Sequence, residues 1–93
     1  MEIKDFDAAD YLKTDEDIQG FLAETLREGT ASDYLHALNT AARAKGMRET
    51  AKKAGISRES LYRSLSSDNP RFDTVLKATK ALGFRLDIVQ AER

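Results

Sequence analysis

Ninety-three residues suffice for one small domain, and without a cysteine that domain has no disulfide framework, thiolate zinc site or cysteine nucleophile. With 41% apolar and 33% charged residues, no apolar run near the roughly 20 residues that cross a bilayer and an acidic start (MEIKDFDAAD) unlike a signal or transit peptide, the chain reads as a cytoplasmic globular protein. Its net charge of −1 hides a split: residues 1–39 carry three basic against ten acidic side chains, a net of −7, and residues 40–93 carry twelve against six, a net of +6.

In chain order, residues 2–6 read as a brief extended piece and Asp7 as the cap of a helical turn over 8–12. Thr14, three residues before Asp17, resembles a capping box. Ile18, Phe21, Leu22, Thr25 and Leu26 recur at helical spacing, which predicts an amphipathic helix over 15–28 that Gly29 ends. Acidic residues crowd its first turn, where the helix dipole favours them. The next helix starts at Thr30 or Ser32 and runs to about Lys45, with Tyr34, Leu35, Leu38, Ala41 and Ala42 facing inward and Gly46 breaking it.

Residues 47–65, MRETAKKAGISRESLYRSL, have the order that two short helices joined by a tight turn require. Ala51 is small where the helices cross, Gly55 tolerates positive φ in the turn, and Ile56 fills the corner. Ser57 is a preferred N-cap, and Leu61 and Leu65, four apart, face the core together. Arg58, Glu59, Tyr62 and Arg63 are left on the outer side, where the recognition helix of a helix-turn-helix meets base edges. Thr50 stands where such helices usually carry a larger aliphatic, and Arg48 lies near a start that a Ser or Thr would cap better.

A polar loop over 66–71 holds the only proline. Phe72, Val75, Leu76, Thr79 and Leu82 then mark a helix that Gly83 stops. Within residues 84–89 apolar and polar side chains alternate through Ile88, the pattern of a short β-strand. Its backbone needs a partner, either a segment near Ile3 or its twin in a second subunit. The second option makes Phe84, Leu86 and Ile88 dimer contacts.

Parts for catalysis are missing. There is no Gly-rich phosphate loop, no histidine pair and no Ser-His-acid set, and the single histidine, His36, has no second histidine with which to hold a metal. Neither a catalytic residue nor a metal or cofactor site is expected.

Four stretches together carry a family resemblance: DAADYL at 7–12, ARAKGM at 42–47, GISRESLY at 55–62 and NPRFDTVLK at 69–77. With them the chain resembles the lambda-repressor/Cro-type group and, more narrowly, the HigA-like addiction-module antidote proteins. Ser60 replaces a frequent Gly, Arg71 a capping Ser, and Thr50 an expected Leu. The resemblance implies an antitoxin that neutralises a RelE/ParE-type toxin and represses their shared operon. RelE-type toxins tend to be basic, so the acidic N-terminal half suits one.

The expected fold is all-α: a lambda-repressor-like domain of about five helices over 1–93. An acidic helical extension (1–29) precedes a helical core (30–83) that contains the helix-turn-helix (47–65), and a short C-terminal strand and tail (84–93) follow. The expected partners are double-stranded operator DNA, the toxin and a second copy of the chain, with no membrane. Arg58 and Arg63 are expected to read guanine edges or clamp phosphates, Glu59 to accept from cytosine N4 or orient an arginine, and Tyr62 to touch a thymine methyl or a phosphate. Ser57 and its helix N-terminus would sit on phosphate, Lys52 and Lys53 would add sequence-independent contacts, and Arg48 and Ser60 complete the set. A stand-alone repressor without a toxin, and a protein-interaction module with a vestigial helix-turn-helix, are the competing readings.

Overall fold

A computed structural model describes residues 7–92. It is all-helical: a 3-10 turn at Ala8–Tyr11, then α1 (Asp15–Glu28), α2 (Ala31–Lys45), α3 (Met47–Ala54), α4 (Arg58–Leu65) and α5 (Phe72–Ala81). Local chemistry sets most of the boundaries. Thr14 Oγ1 accepts the Asp17 amide at 3.0 Å while Asp17 Oδ2 accepts the Thr14 amide at 3.1 Å, so the capping box is reciprocal. Thr30 and Asp33 repeat it at the head of α2, with bonds of 3.2 and 2.9 Å. Gly29 lies between the two helices, and a Cβ there would sit 2.7 Å from Asp33 Oδ2 and 2.9 Å from the Thr25 carbonyl oxygen. Only glycine fits so close a turn.

The core is one cluster to which every α-helix contributes: Ile18 and Leu22 from α1, Leu38 and Ala41 from α2, Ala51 from α3, Leu61 and Leu65 from α4, and Val75 and Ala78 from α5. The inward stripe expected for α2 is wholly buried, together with Ala37. Two residues expected inside are not: Leu26 near the end of α1 and Phe72 at the start of α5 are exposed. Both follow the helical period but sit near helix ends, on an open groove bounded by α1, α2, α5 and Leu86. Tyr34 Oη and Thr79 Oγ1 meet at 2.8 Å inside this core and join α2 to α5. Lys45 Nζ reaches Asp15 Oδ1 at 3.1 Å and the Leu82 carbonyl at 3.3 Å, tying the head of α1 to the tail of α5.

The C-terminal strand is not there. Among the described residues none is in a strand, and 84–92 run on from Gly83 as irregular chain. Extended backbone becomes a strand only when a neighbour takes up its N–H and C=O groups; the segment around Ile3 that was one expected partner lies outside the described residues, as does the extended piece at 2–6. Phe84 and Leu86 instead pack half-buried against the chain's own core, while Ile88 and Val89 are exposed. No helix among the described residues is long and apolar enough to cross a membrane.

Candidate nucleic-acid interface

The α3–α4 pair is built as its spacing predicts. Ala51 is buried, and Gly55 ends α3 in the left-handed region at φ 76°, ψ 26°, where a side chain would be strained. Its successor Ile56 donates its amide to the Ala51 carbonyl at 3.1 Å and packs half-buried against the core. Ser57 Oγ then accepts the Ser60 amide at 3.0 Å and opens α4. Thr50, unexpected at its position, is 2% exposed and satisfied there: its hydroxyl donates to the Gly46 carbonyl at 2.9 Å. The starts of α3 (Gly46) and α5 (Arg71) have no side-chain cap, as the departures at Arg48 and Arg71 foretold.

With Leu61 and Leu65 fully inside, α4 has a sharp division of faces. Its outer residues Arg58, Glu59, Tyr62 and Arg63 come together along one open cleft of about 850 Å³. Tyr62 is 54% exposed. The other expected contacts do not line this cleft. Arg48, Lys52 and Lys53 are exposed on α3, Ser57 is occupied as the cap of α4, and Ser60 is half-buried. His36 is exposed on α2, and among the described residues no group of His, Asp or Glu is arranged to hold a metal ion.

Sequence reasoning missed one member of the cleft that bears charge. Arg43, in the last turn of α2, borders it opposite α4. Its guanidinium is gripped by Asp7, Nη1 to Oδ2 at 2.9 Å and Nη2 to Oδ1 at 3.2 Å. This bidentate hydrogen bonding holds the Asp7 carboxyl below the usual carboxylate range and raises Arg43 further above its own. Thirty-six positions separate the two residues, so no local pattern could have announced the pair. Next to it, Asn39 Nδ2 lies 3.4 Å from Ser66 Oγ, linking α2 to the end of α4.

Comparison with known proteins adds three findings. A family model described as "Probable addiction module antidote protein" matches residues 2–90. A protein of Haemophilus influenzae, described only as uncharacterized, is 45% identical over 91 residues, covering 97% of this chain and 94% of its own. No solved structure matches.

Proposed function

We propose, from the premise that this chain belongs to the family of probable addiction module antidote proteins, that it is an antitoxin with two activities. It binds and neutralises a RelE/ParE-type toxin, and it represses the operon the two share. The repression works through α3 and α4 acting as a lambda-repressor/Cro-type helix-turn-helix of the HigA-like kind, with α4 in the major groove of operator DNA. In this reading Arg58 and Arg63 read guanine edges or clamp phosphates, Glu59 accepts from cytosine N4 or orients an arginine, Tyr62 touches a thymine methyl or a phosphate, and Arg48, Lys52, Lys53, Ser57 and Ser60 flank them. A homodimer matches a palindromic operator; of the contacts expected for it, Ile88 is exposed, while Phe84 and Leu86 are half-buried against the chain's own core. The proposal assigns no catalysis to the chain.

One observation carries the DNA half of the proposal. The outer face of α4 carries Arg58, Glu59, Tyr62 and Arg63, all exposed and gathered along a single cleft, while its inner face is locked by Leu61 and Leu65. A helix held only from behind can present its side chains to a groove without rearrangement.

The experiment that tests the antitoxin role is growth rescue. The small open reading frame adjacent to the gene is induced alone and then together with this protein. Growth arrest alone and rescue on co-expression is the expected result. Arrest without rescue overturns the antitoxin assignment, and no arrest at all favours a stand-alone repressor.

A further inference from the structure

Arg43 lies on α2, outside the two helices that the reading above assigns to DNA, yet it borders the same cleft as Arg58, Tyr62 and Arg63. It is held there rather than free. Asp7 engages it through both carboxylate oxygens, and Asp7 is itself fixed, because its Oδ1 also accepts the Ala9 amide at 3.1 Å where the 3-10 turn begins. A guanidinium carries five N–H donors, and this fork occupies two of its four Nη hydrogens. The side chains are 43% and 41% exposed, so solvent reaches the pair and an anion can too.

We propose that Arg43 is a DNA-backbone contact that clamps a phosphate beside the groove entered by α4, and that Asp7 is its positioning residue. This rests on the reading of α4 as the DNA-contacting helix. The physical case is preorganisation. A free arginine must give up rotamer freedom to meet a phosphate, whereas one already forked onto a carboxylate has lost most of it on folding. Its remaining donors then face an incoming oxyanion in a fixed plane. The arrangement also makes the N-terminal segment part of the DNA site, although it lies far from α4 in sequence.

The sign of one substitution separates positioning from plain charge. Asp7→Asn keeps a good cap for the 3-10 turn but removes a negative charge from the rim of a phosphate-binding cleft. Electrostatics alone predicts tighter DNA binding, and positioning predicts weaker binding.

The test uses the full chain, a duplex carrying the DNA immediately upstream of the gene, and a scrambled duplex of equal length. Binding is followed by fluorescence anisotropy across a salt series, with a thermal melt of every variant. One phosphate contact contributes about 0.9 to the salt slope, which is roughly eightfold in affinity at 0.1 M relative to 1 M salt. Arg43→Gln is therefore expected to bind both duplexes about eightfold more weakly at 0.1 M, with its slope lowered by about 0.9. Arg43→Lys, which keeps the charge without the fork, should keep the slope and lose part of the affinity, and it serves as the readout if the glutamine variant does not fold. Asp7→Asn should weaken binding in the wild-type background but no longer weaken it when added to Arg43→Gln, where there is no guanidinium to position and only the loss of a negative charge remains. Unchanged binding in both Arg43 variants, or tighter binding by Asp7→Asn in the wild-type background, overturns the proposal. If Arg58→Ala weakens binding while the Arg43 variants do not, this inference fails alone. A wild-type chain that binds neither duplex overturns the α4 reading and takes this inference with it.

Discussion

The buried contact between Tyr34 and Thr79 makes an asymmetric prediction. Thr79 has one hydroxyl proton, and it goes to the Val75 carbonyl at 3.0 Å. At the 2.8 Å contact, therefore, Tyr34 donates and Thr79 accepts. Removing the donor leaves Thr79 bonded to Val75, so Tyr34→Phe should cost no more than one net hydrogen bond, about 0.5–1.5 kcal/mol. Removing the acceptor is worse. In Thr79→Val a phenolic O–H is stranded in a core where Tyr34 is only 5% exposed, and an orphaned buried donor costs about 1–3 kcal/mol. The double variant strands nothing, so it should be more stable than the sum of the single costs implies, with a coupling of about 1–2 kcal/mol. Thermal and urea denaturation followed by circular dichroism reads all four proteins, and each kcal/mol moves the midpoint by roughly 4–8 °C in a domain of this size. The reasoning is refuted if Tyr34→Phe costs as much as Thr79→Val, or if the two costs simply add.

Three other expectations concern α4, α3 and α1 in turn, and a fourth returns to the Tyr34 phenol. Arg58→Ala should cost about 1–3 kcal/mol of specific DNA binding and flatten the sequence preference, measured as the affinity ratio between operator and scrambled duplexes. Lys53→Ala should weaken both duplexes alike and lower the salt slope by about one; an unchanged slope removes Lys53 from the phosphate contacts. Thr14→Ala breaks the capping box of α1 and should cost about 1 kcal/mol in a melt, with DNA affinity unaltered. Burial raises the Tyr34 phenol above its ordinary 10.0, so the folded chain holds that proton longer than the unfolded one. Stability from this group is therefore level below about pH 10 and falls as pH rises through the folded value. An alkaline melt series should show that fall in the wild type and a shallower one in Tyr34→Phe.

What the sequence revealed and what it hid divides by range. Caps and stops act within four residues, and Thr14 with Asp17, Gly29, Gly46, Gly55 and Ser57 all sit where their local chemistry predicts. The helical period also found the core of α2 and α4, because both helices are covered along their length. It overreached at Leu26 and Phe72, since periodicity describes one helix and says nothing of where its neighbours end. The strand at 84–89 failed for a related reason: alternation specifies a face, but a ladder needs a second segment. Arg43 and Asp7 were hidden by 36 positions of separation, and Thr50 by an aliphatic prior that overlooked its hydroxyl's bond back to Gly46.

The charge split takes on a different meaning once the partners of each group are known. The acidic half looked like a surface for a basic partner, yet much of its charge is committed locally. Asp7, Asp17 and Asp33 accept amides at element starts, where carboxylates offset the partial positive charge of unpaired N–H groups. Asp7 is also paired with Arg43, Asp15 with Lys45 and Glu24 with Arg27. On the basic side the position is reversed. Among the described residues the ion pairs involve Arg27, Arg43, Lys45 and Lys77, and not Arg48, Lys52, Lys53, Arg58 or Arg63. An uncompensated cation projects its field to about a Debye length, near 8–10 Å at ordinary salt, whereas a paired one projects mostly a dipole. Five cations without an ion pair thus lie on α3 and α4, against two carboxylates there, Glu49 and Glu59. On the proposed reading, charge therefore favours the DNA contact over the toxin contact, because Asp7, Asp15 and Glu24 of the acidic half already have cationic partners within the chain whereas Arg48, Lys52, Lys53, Arg58 and Arg63 have none.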